Sequence, residues 1–410
     1  MLAAVLGYNV AAISTIMIAG LLLWICVNSR SVVQLLHNQF FHIALLLIFI
    51  WPLMTVVYAP ELSIKRISLQ SYYFLLFTST VIFLKKYSIN KLSGVVAVSY
   101  WTSIVGLFWS FFYPEHFSSI ADIVSAKTDY YGRAFGFMMQ PNMAVTNLTI
   151  LFIFYLAFGS FKKRIILYSV IISFVLAILL TGSRTGIVIM LIIGLTNILY
   201  LNRHYFNLSN GRILVRRILF TKLLFFTVAM LLISILSVTT MQYIIEKDII
   251  KTEQSGFGLR ERFNSFLSGK LSDVEVGSDD NIQARLNFQK AFIEKIVDRP
   301  LIGYGLGSRD VMMTSGELLR PSHNQYLNYT LEYGMIYCLL FFSFFFIMPL
   351  FLKKRRLIEA YYRNNWIVQT SVAILLLSLV SNTVLFIRNP WALMGTVFYF
   401  LYCTNLQNRQ

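Results

Sequence analysis

Charge is scarce in this chain. Of its 410 residues only 13% are Asp, Glu, Lys or Arg, about half of what a soluble domain carries. With 57% hydrophobic residues and a mean hydropathy of +0.67, that excludes a water-soluble enzyme and points to an integral membrane protein. Cysteine is scarce too. Cys26, Cys338 and Cys403 all fall in apolar runs, which leaves no disulfide framework and no zinc-ligand spacing. The five histidines, His37, His42, His116, His204 and His323, are scattered, so none belongs to a metal-ligand cluster. No positively charged n-region precedes the first apolar run, so a cleavable signal peptide is not expected. The apolar runs are continuous rather than alternating, which excludes a β-barrel.

What is there is a series of apolar runs. Segments 8–27, 41–58, 71–84, 93–113, 143–161, 165–181, 187–201, 223–241, 323–352, 366–387 and 391–404 read as eleven membrane helices. Several are shorter than the roughly 20 residues of a straight span. The fold class is therefore all-α and polytopic. Helices 1–8 occupy residues 1–241, one large polar loop runs from 242 to 322, and helices 9–11 occupy 323–410.

The basic residues set the orientation. Alternate loops and the tail hold 18 of the 35 Lys and Arg against a single acid, Glu359, and by the positive-inside rule these face the cytoplasm. The net charge of +17 is then mostly a topology signal and not a nucleic-acid footprint. The large loop, with twelve acids and eleven bases, faces outward. This puts the N-terminus outside and the C-terminus inside.

The outward loops carry arginines: Arg66, Arg133 in "GRAFGFMMQPN", Arg184 in "TGSRTG", Arg285 and Arg388. A guanidinium stays charged at any relevant pH and presents a planar fork to phosphate oxygens. For Arg66 and Arg388 a snorkelling anchor or a structural ion pair is the plainer reading. Arg184 lies between two glycines and two hydroxyls in a turn too short for incidental charge, so a phosphate cradle is the better reading there.

Within the large loop, Ile282, Leu286, Ile293, Ile296 and Val297 recur at helical spacing, and Pro300 ends the pattern. A helix over 281–297 is predicted, with Arg285 and Gln289 on one face. "GYGLG" at 303–307 lacks the spacing and the preceding strand of a dinucleotide fingerprint. It reads as a re-entrant turn packed near the membrane, with bare amides available to a phosphate. His323 opens the ninth segment in "HNQYLNYTLEYG". A histidine at an outward helix mouth can accept a proton from a sugar hydroxyl; the plain alternative is a hydrogen-bonded interfacial residue.

"TGSRTG", "NFQKAFIEKIVDRPLIGYGLGS" after Arg285, and "HNQYLNYTLEYG" together resemble the core of the O-antigen polymerase and O-antigen ligase family. "GRAFGFMMQPN" is similar to a further motif of these membrane glycosyltransferases and of the related protein O-oligosaccharyltransferases. The resemblance covers about 133–334. The R-x-x-x-W of the family departs here, where Phe288 and Gln289 follow Arg285. Family members with both ends inside imply one further helix ahead of the first, twelve in all.

The resemblance implies a C-type glycosyltransferase of the bacterial inner membrane, active at the periplasmic face without cofactor or metal ion. The donor would be an undecaprenyl-diphosphate-linked oligosaccharide and the acceptor a glycolipid. Arg184 and Arg285, with Arg133, would hold the diphosphate. His323 would be the base, and Asn324 and Tyr326 would line the glycan site. Displacement would be direct and inverting. A polymerase joining lipid-linked repeats of an O-antigen, capsule or exopolysaccharide is the first expectation, because no large domain follows the last helix to bind a protein. A ligase acting on lipid A–core, a protein O-oligosaccharyltransferase and a transporter of the same lipid-linked sugar are the alternatives. Membrane lipids and a chain-length regulator are the further partners the resemblance implies, and nucleic acid is not expected.

Overall fold

The computed structural model describes residues 11–58, 63–87, 89–113, 134–138, 140–158, 164–181, 282–318, 324–351, 363–380 and 388–403, and the single residues 116, 183, 186, 190, 193 and 322. Twelve helices are described: α1 (Ala11–Val27), α2 (Ser29–Leu36), α3 (Gln39–Met54), α4 (Ser63–Lys86), α5 (Ile89–Phe112), α6 (Pro141–Phe158), α7 (Arg164–Leu180), α8 (Ile282–Asp298), α9 (Ser308–Thr314), α10 (Gln325–Phe342), α11 (Arg363–Val380) and α12 (Arg388–Phe398). Helices α10 and α12 run on through single π-turns, Ser343–Ile347 and Tyr399–Cys403.

Helices stand at nine of the eleven expected segments. The other two, 187–201 and 223–241, lie outside the described residues apart from Met190 and Ile193. Among the described residues four helices are long and apolar enough to cross a membrane: Arg66–Lys86, Lys91–Phe112, Pro141–Phe158 and Gln325–Ile347. A fifth span forms if α1 and α2, bent by 82° at Asn28, count as one. Asn28 Nδ2 donates to Trp24 O at 2.8 Å, a carbonyl that also accepts from Asn28 N, and its Oδ1 accepts from Lys86 Nζ at 3.0 Å, so the side chain ties the bend to the end of α4.

Aromatic packing holds the bundle. Tyr73 stacks on Trp391 with centroids 4.7 Å apart, joining α4 to α12. Phe152 stacks on Phe174 at 3.9 Å, joining α6 to α7. Two buried tyrosine hydroxyls reach across to carbonyls of neighbouring helices. Tyr100 donates to Val170 O at 2.7 Å and Tyr337 to Leu47 O at 2.8 Å.

The bundle has two chemically distinct ends. At one, Lys86 lies over the Trp24 ring and Lys91 over the Tyr87 ring, and Asn38 donates to Tyr402 O at 3.2 Å. At the other gather the end of α3, the starts of α4 and α6, the ends of α5 and α7, and the α8–α10 region.

Candidate active site

Two constellations form at that second end. The first joins "GRAFGFMMQPN" to "TGSRTG". Ser110, near the end of α5, accepts from the amides of Phe135 and Gly136 at 3.1 and 2.8 Å. Ala134 N donates to Leu180 O at 2.9 Å. Buried Ser183 donates to Asn142 Oδ1 at 3.3 Å and accepts from Gly186 N. Two motifs some 40 residues apart, as the Ser183–Asn142 separation of 41 measures, thus share one hydrogen-bonded patch. Arg133 precedes Ala134 and Arg184 follows Ser183 in the chain; both arginines lie outside the described residues.

The second constellation is the packing of the α8–α9 region on α10. The helix expected at 281–297 is found at Ile282–Asp298. Phe292 on α8, Met312 on α9, Leu318 and Leu331 on α10 form a small core of their own. Between α8 and α9 the glycine turn lies directly on the α10 backbone. Tyr304 N and Gly305 N donate to Leu331 O and Glu332 O, both at 2.8 Å, and Met335 N donates to Pro300 O at 2.8 Å. The α10 carbonyls are open to these bonds because the helix breaks at Gly334 (φ 85°, ψ 164°). Leu306 N donates to Thr55 Oγ1 at 3.2 Å, which ties the turn to the end of α3. The turn packs against α10, one of the helices fit to cross a membrane, and those amides are used on the protein's own carbonyls and hydroxyl, not left bare as expected.

Arg66 finds its partner here. Its Nε donates to Asp310 Oδ2 at 2.9 Å and its Nη2 pairs with the same oxygen. Arg309 Nη2 reaches the other oxygen, Asp310 Oδ1, at 2.9 Å. The structural ion pair read for Arg66 is therefore what the structure holds. Burial opposes ionisation of Asp310, yet the fields of Arg309 and Arg66 outweigh it and hold the carboxyl below its ordinary range.

The mouth of α10 is closed by Asn324, whose Oδ1 accepts from Tyr326 N at 2.9 Å and Leu327 N at 3.3 Å as an N-cap. Ser322 Oγ lies between Asn324 O at 2.9 Å and Asn328 Oδ1 at 3.0 Å. Tyr326 OH donates to Leu375 O on α11 at 3.0 Å. Asn324 and Tyr326 thus both brace the mouth, and α11 packs between α10 and α6. His323 stands between Ser322 and Asn324 in sequence and lies outside the described residues. Arg285 is on the first turn of α8, its side chain outside the described residues, as is that of Arg388 at the start of α12.

Sequence reasoning missed Arg309, Asp310 and a buried polar stripe on α10. Gln325, Asn328 and Glu332 are spaced to share one helix face and are 0–2% exposed. Both amide atoms of Gln325, Asn328 Nδ2 and Glu332 Oε1 have no hydrogen-bond partner among the described residues. An acid within an apolar span was the available signal. Among the described residues no three His, Cys, Asp or Glu side chains gather as a metal site requires, and Cys26 and Cys338 are free thiols.

The family model described as O-antigen ligase, Wzy_C, matches residues 167–342. The match takes in most of α7, the Ser183 turn, α8, the glycine turn, α9 and α10. No curated protein matches the chain.

Proposed function

We propose that this chain, by residues 167–342 a member of the O-antigen ligase and polymerase family of glycosyltransferase-type enzymes, polymerises a glycan on its lipid carrier. The donor is an undecaprenyl-diphosphate-linked repeat and the acceptor is a sugar hydroxyl of a second lipid-linked repeat. The reaction takes place at the periplasmic face of the bacterial inner membrane, in a bundle of eleven or twelve spans.

The observation that carries the reading is the hydrogen-bonded patch of Ala134, Leu180, Asn142 and Ser183. It brings Ala134, which follows Arg133 in the chain, and Ser183, which precedes Arg184, to one end of the bundle, the end where the mouth of α10 also lies. In this reading Arg184 and Arg285, with Arg133, grip the diphosphate. His323 takes the proton of the acceptor hydroxyl as its oxygen attacks the anomeric carbon. The bond from that carbon to the diphosphate oxygen breaks on the opposite face, so configuration inverts. The guanidiniums neutralise charge that grows on the departing lipid diphosphate, where preorganised donors contribute most. Asn324 and Tyr326 brace the mouth beside the base.

Transfer to lipid A–core is the second reading, favoured by the ligase description of the matching family model. One reconstitution separates them. The purified protein is given an undecaprenyl-diphosphate-linked repeat alone, in chelator. A product ladder supports the polymerase. Transfer only after lipid A–core is added supports the ligase. No transfer to either, with the lipid moved between leaflets of vesicles, overturns the enzyme mechanism in favour of transport.

A further inference from the structure

Helix α8 belongs to a polar stretch of the chain, yet it carries a second apolar face. Its first, around Phe292, is buried on α9 and α10. The other is not covered by any of the described residues. Leu286, Ile293 and Val297 are 52%, 50% and 68% exposed, and spacings of seven and four residues put them in one line along the helix. Asn287, Glu294 and Asp298 are exposed along a separate line about a quarter turn away, and exposed Lys290, one turn after Leu286, borders the apolar line on that polar side, where a long stem carries its ammonium out to headgroup level. The helix therefore has three sides: one for the protein, one apolar and open, one polar and open.

The open apolar line does not stop with the helix. Leu301 and Ile302, just beyond it, are each 52% exposed. The backbone of Leu301 and Ile302 lies against Gly334, and Pro300 O accepts from Met335 N at 2.8 Å. From there Met335, Ile336, Leu339 and Leu340 continue as exposed apolar residues down α10. They belong to Gln325–Ile347, one of the four helices fit to cross a membrane. An apolar flank of a spanning helix faces lipid, and the α8 line is its continuation upward.

We infer that α8 and the Leu301–Ile302 turn are bilayer elements: α8 lies along the membrane surface with Leu286, Ile293 and Val297 in the hydrocarbon of the leaflet. The occupant of this face is lipid acyl chain. A helix with a polar side toward water and an apolar line toward acyl chains has the pattern of an interfacial helix. The glycine turn is then the point where the chain dips to the level of Gly334 and returns. Arg285, on the first turn of α8, is held at headgroup height. The inference rests on exposure and continuity and not on the reaction proposed above.

Site-directed spin labelling of the full chain in lipid nanodiscs tests it, with no activity measurement. Cys26→Ser, Cys338→Ala and Cys403→Ser remove the native thiols. Val297→Cys and Glu294→Cys then place a nitroxide on the apolar and the polar line. Both positions are exposed, so the labels disturb no core packing. Collision rates are read with oxygen, which concentrates in hydrocarbon, and with a water-soluble nickel chelate. The expected result is an oxygen-to-nickel ratio several-fold higher at position 297 than at 294. Equal ratios, with nickel dominant at both, would place the face in water and overturn the inference. Spin–spin broadening at position 297 that disappears on dilution with unlabelled protein would show a second copy on the face and overturn it equally.

Discussion

Gly303 and Gly334 meet backbone to backbone. Both have positive φ, and a Cβ built on Gly303 would stand 2.6 Å from Gly334 N. A Cβ on Gly334 would stand 2.0 Å from Leu301 O. This contact sets how closely the turn after α8 approaches α10.

Neither glycine should tolerate a side chain. Gly334 has extended ψ at positive φ, a region that is almost closed to other residues at about 1–3 kcal/mol, and overpacking adds about 1–3 kcal/mol. Gly334→Ala should therefore lose about 3 kcal/mol or more, with Gly316→Ala, where nothing lies within 4 Å of the added carbon, as the milder control at positive φ. Thermal unfolding in detergent, followed by size exclusion with fluorescence detection, reads both. Equal melting of Gly334→Ala and wild type would contradict the contact.

The Arg66–Asp310 pair joins the start of α4 to α9 across 244 residues of chain. Removing one partner of a fully buried pair costs about 3–5 kcal/mol. The Asp310 side chain is 35% exposed, so solvent screening reduces the expected loss for Arg66→Ala to about 1–3 kcal/mol.

The same pair has an acid limit. Asp310 titrates below its ordinary value in the folded protein, while unfolded Asp titrates near about 3.9. The folded form is thus favoured by the ionised carboxylate. That contribution is complete above the unfolded value and is lost as pH falls through the lower folded one. The melting difference between wild type and Asp310→Asn should be constant from neutral pH to about pH 5 and close below about pH 4. A difference that closes on going alkaline would reverse the assignment.

Asn324 separates a bracing role from a glycan contact. Asn324→Ala should cost about 1 kcal/mol as a lost N-cap. Asn324→Asp keeps the cap but loses the amide donor. If the side chain only braces the mouth, Asn324→Asp should keep both melting temperature and turnover. A fall in turnover at unchanged stability would assign it to the glycan.

The proposed chemistry predicts that His323→Ala lowers turnover by about 10²–10⁴-fold, the scale of a lost general base. Arg184→Ala and Arg285→Ala should each lower it by about 10²–10³-fold, and Arg184→Lys should recover only part because the planar fork is lost. Full activity in any alanine variant that remains folded in the membrane removes that residue from the mechanism.

Much of the fold was legible in the sequence. The apolar runs gave helices at nine segments, and the repeat of Ile282, Leu286 and Ile293 with Pro300 beyond gave α8 within one residue at each end. These features are local: backbone groups in an apolar medium must bond within their own segment, so composition alone dictates helix. The motifs around Ser183 and Asn324 were also legible, because short glycine- and polar-rich stretches stand out against hydrocarbon sequence. The break of α10 was not, since Gly334 looks like any small residue in a span.

What the sequence determined by itself, then, is a helical membrane protein, ten of its twelve described helices (the short α2 and α9 were not among them) and the stretches that carry polar chemistry. Only the tertiary structure decided which of those stretches meet. Arg66 read as one of several outward arginines, and its partner Asp310 carried no signal of its own. Leu180 accepts from Ala134, and Leu331 from Tyr304, through main-chain atoms that any residue possesses. Pairing of that kind depends on which helix ends are brought side by side, and that is set by side-chain packing over the whole bundle rather than by any local run of residues.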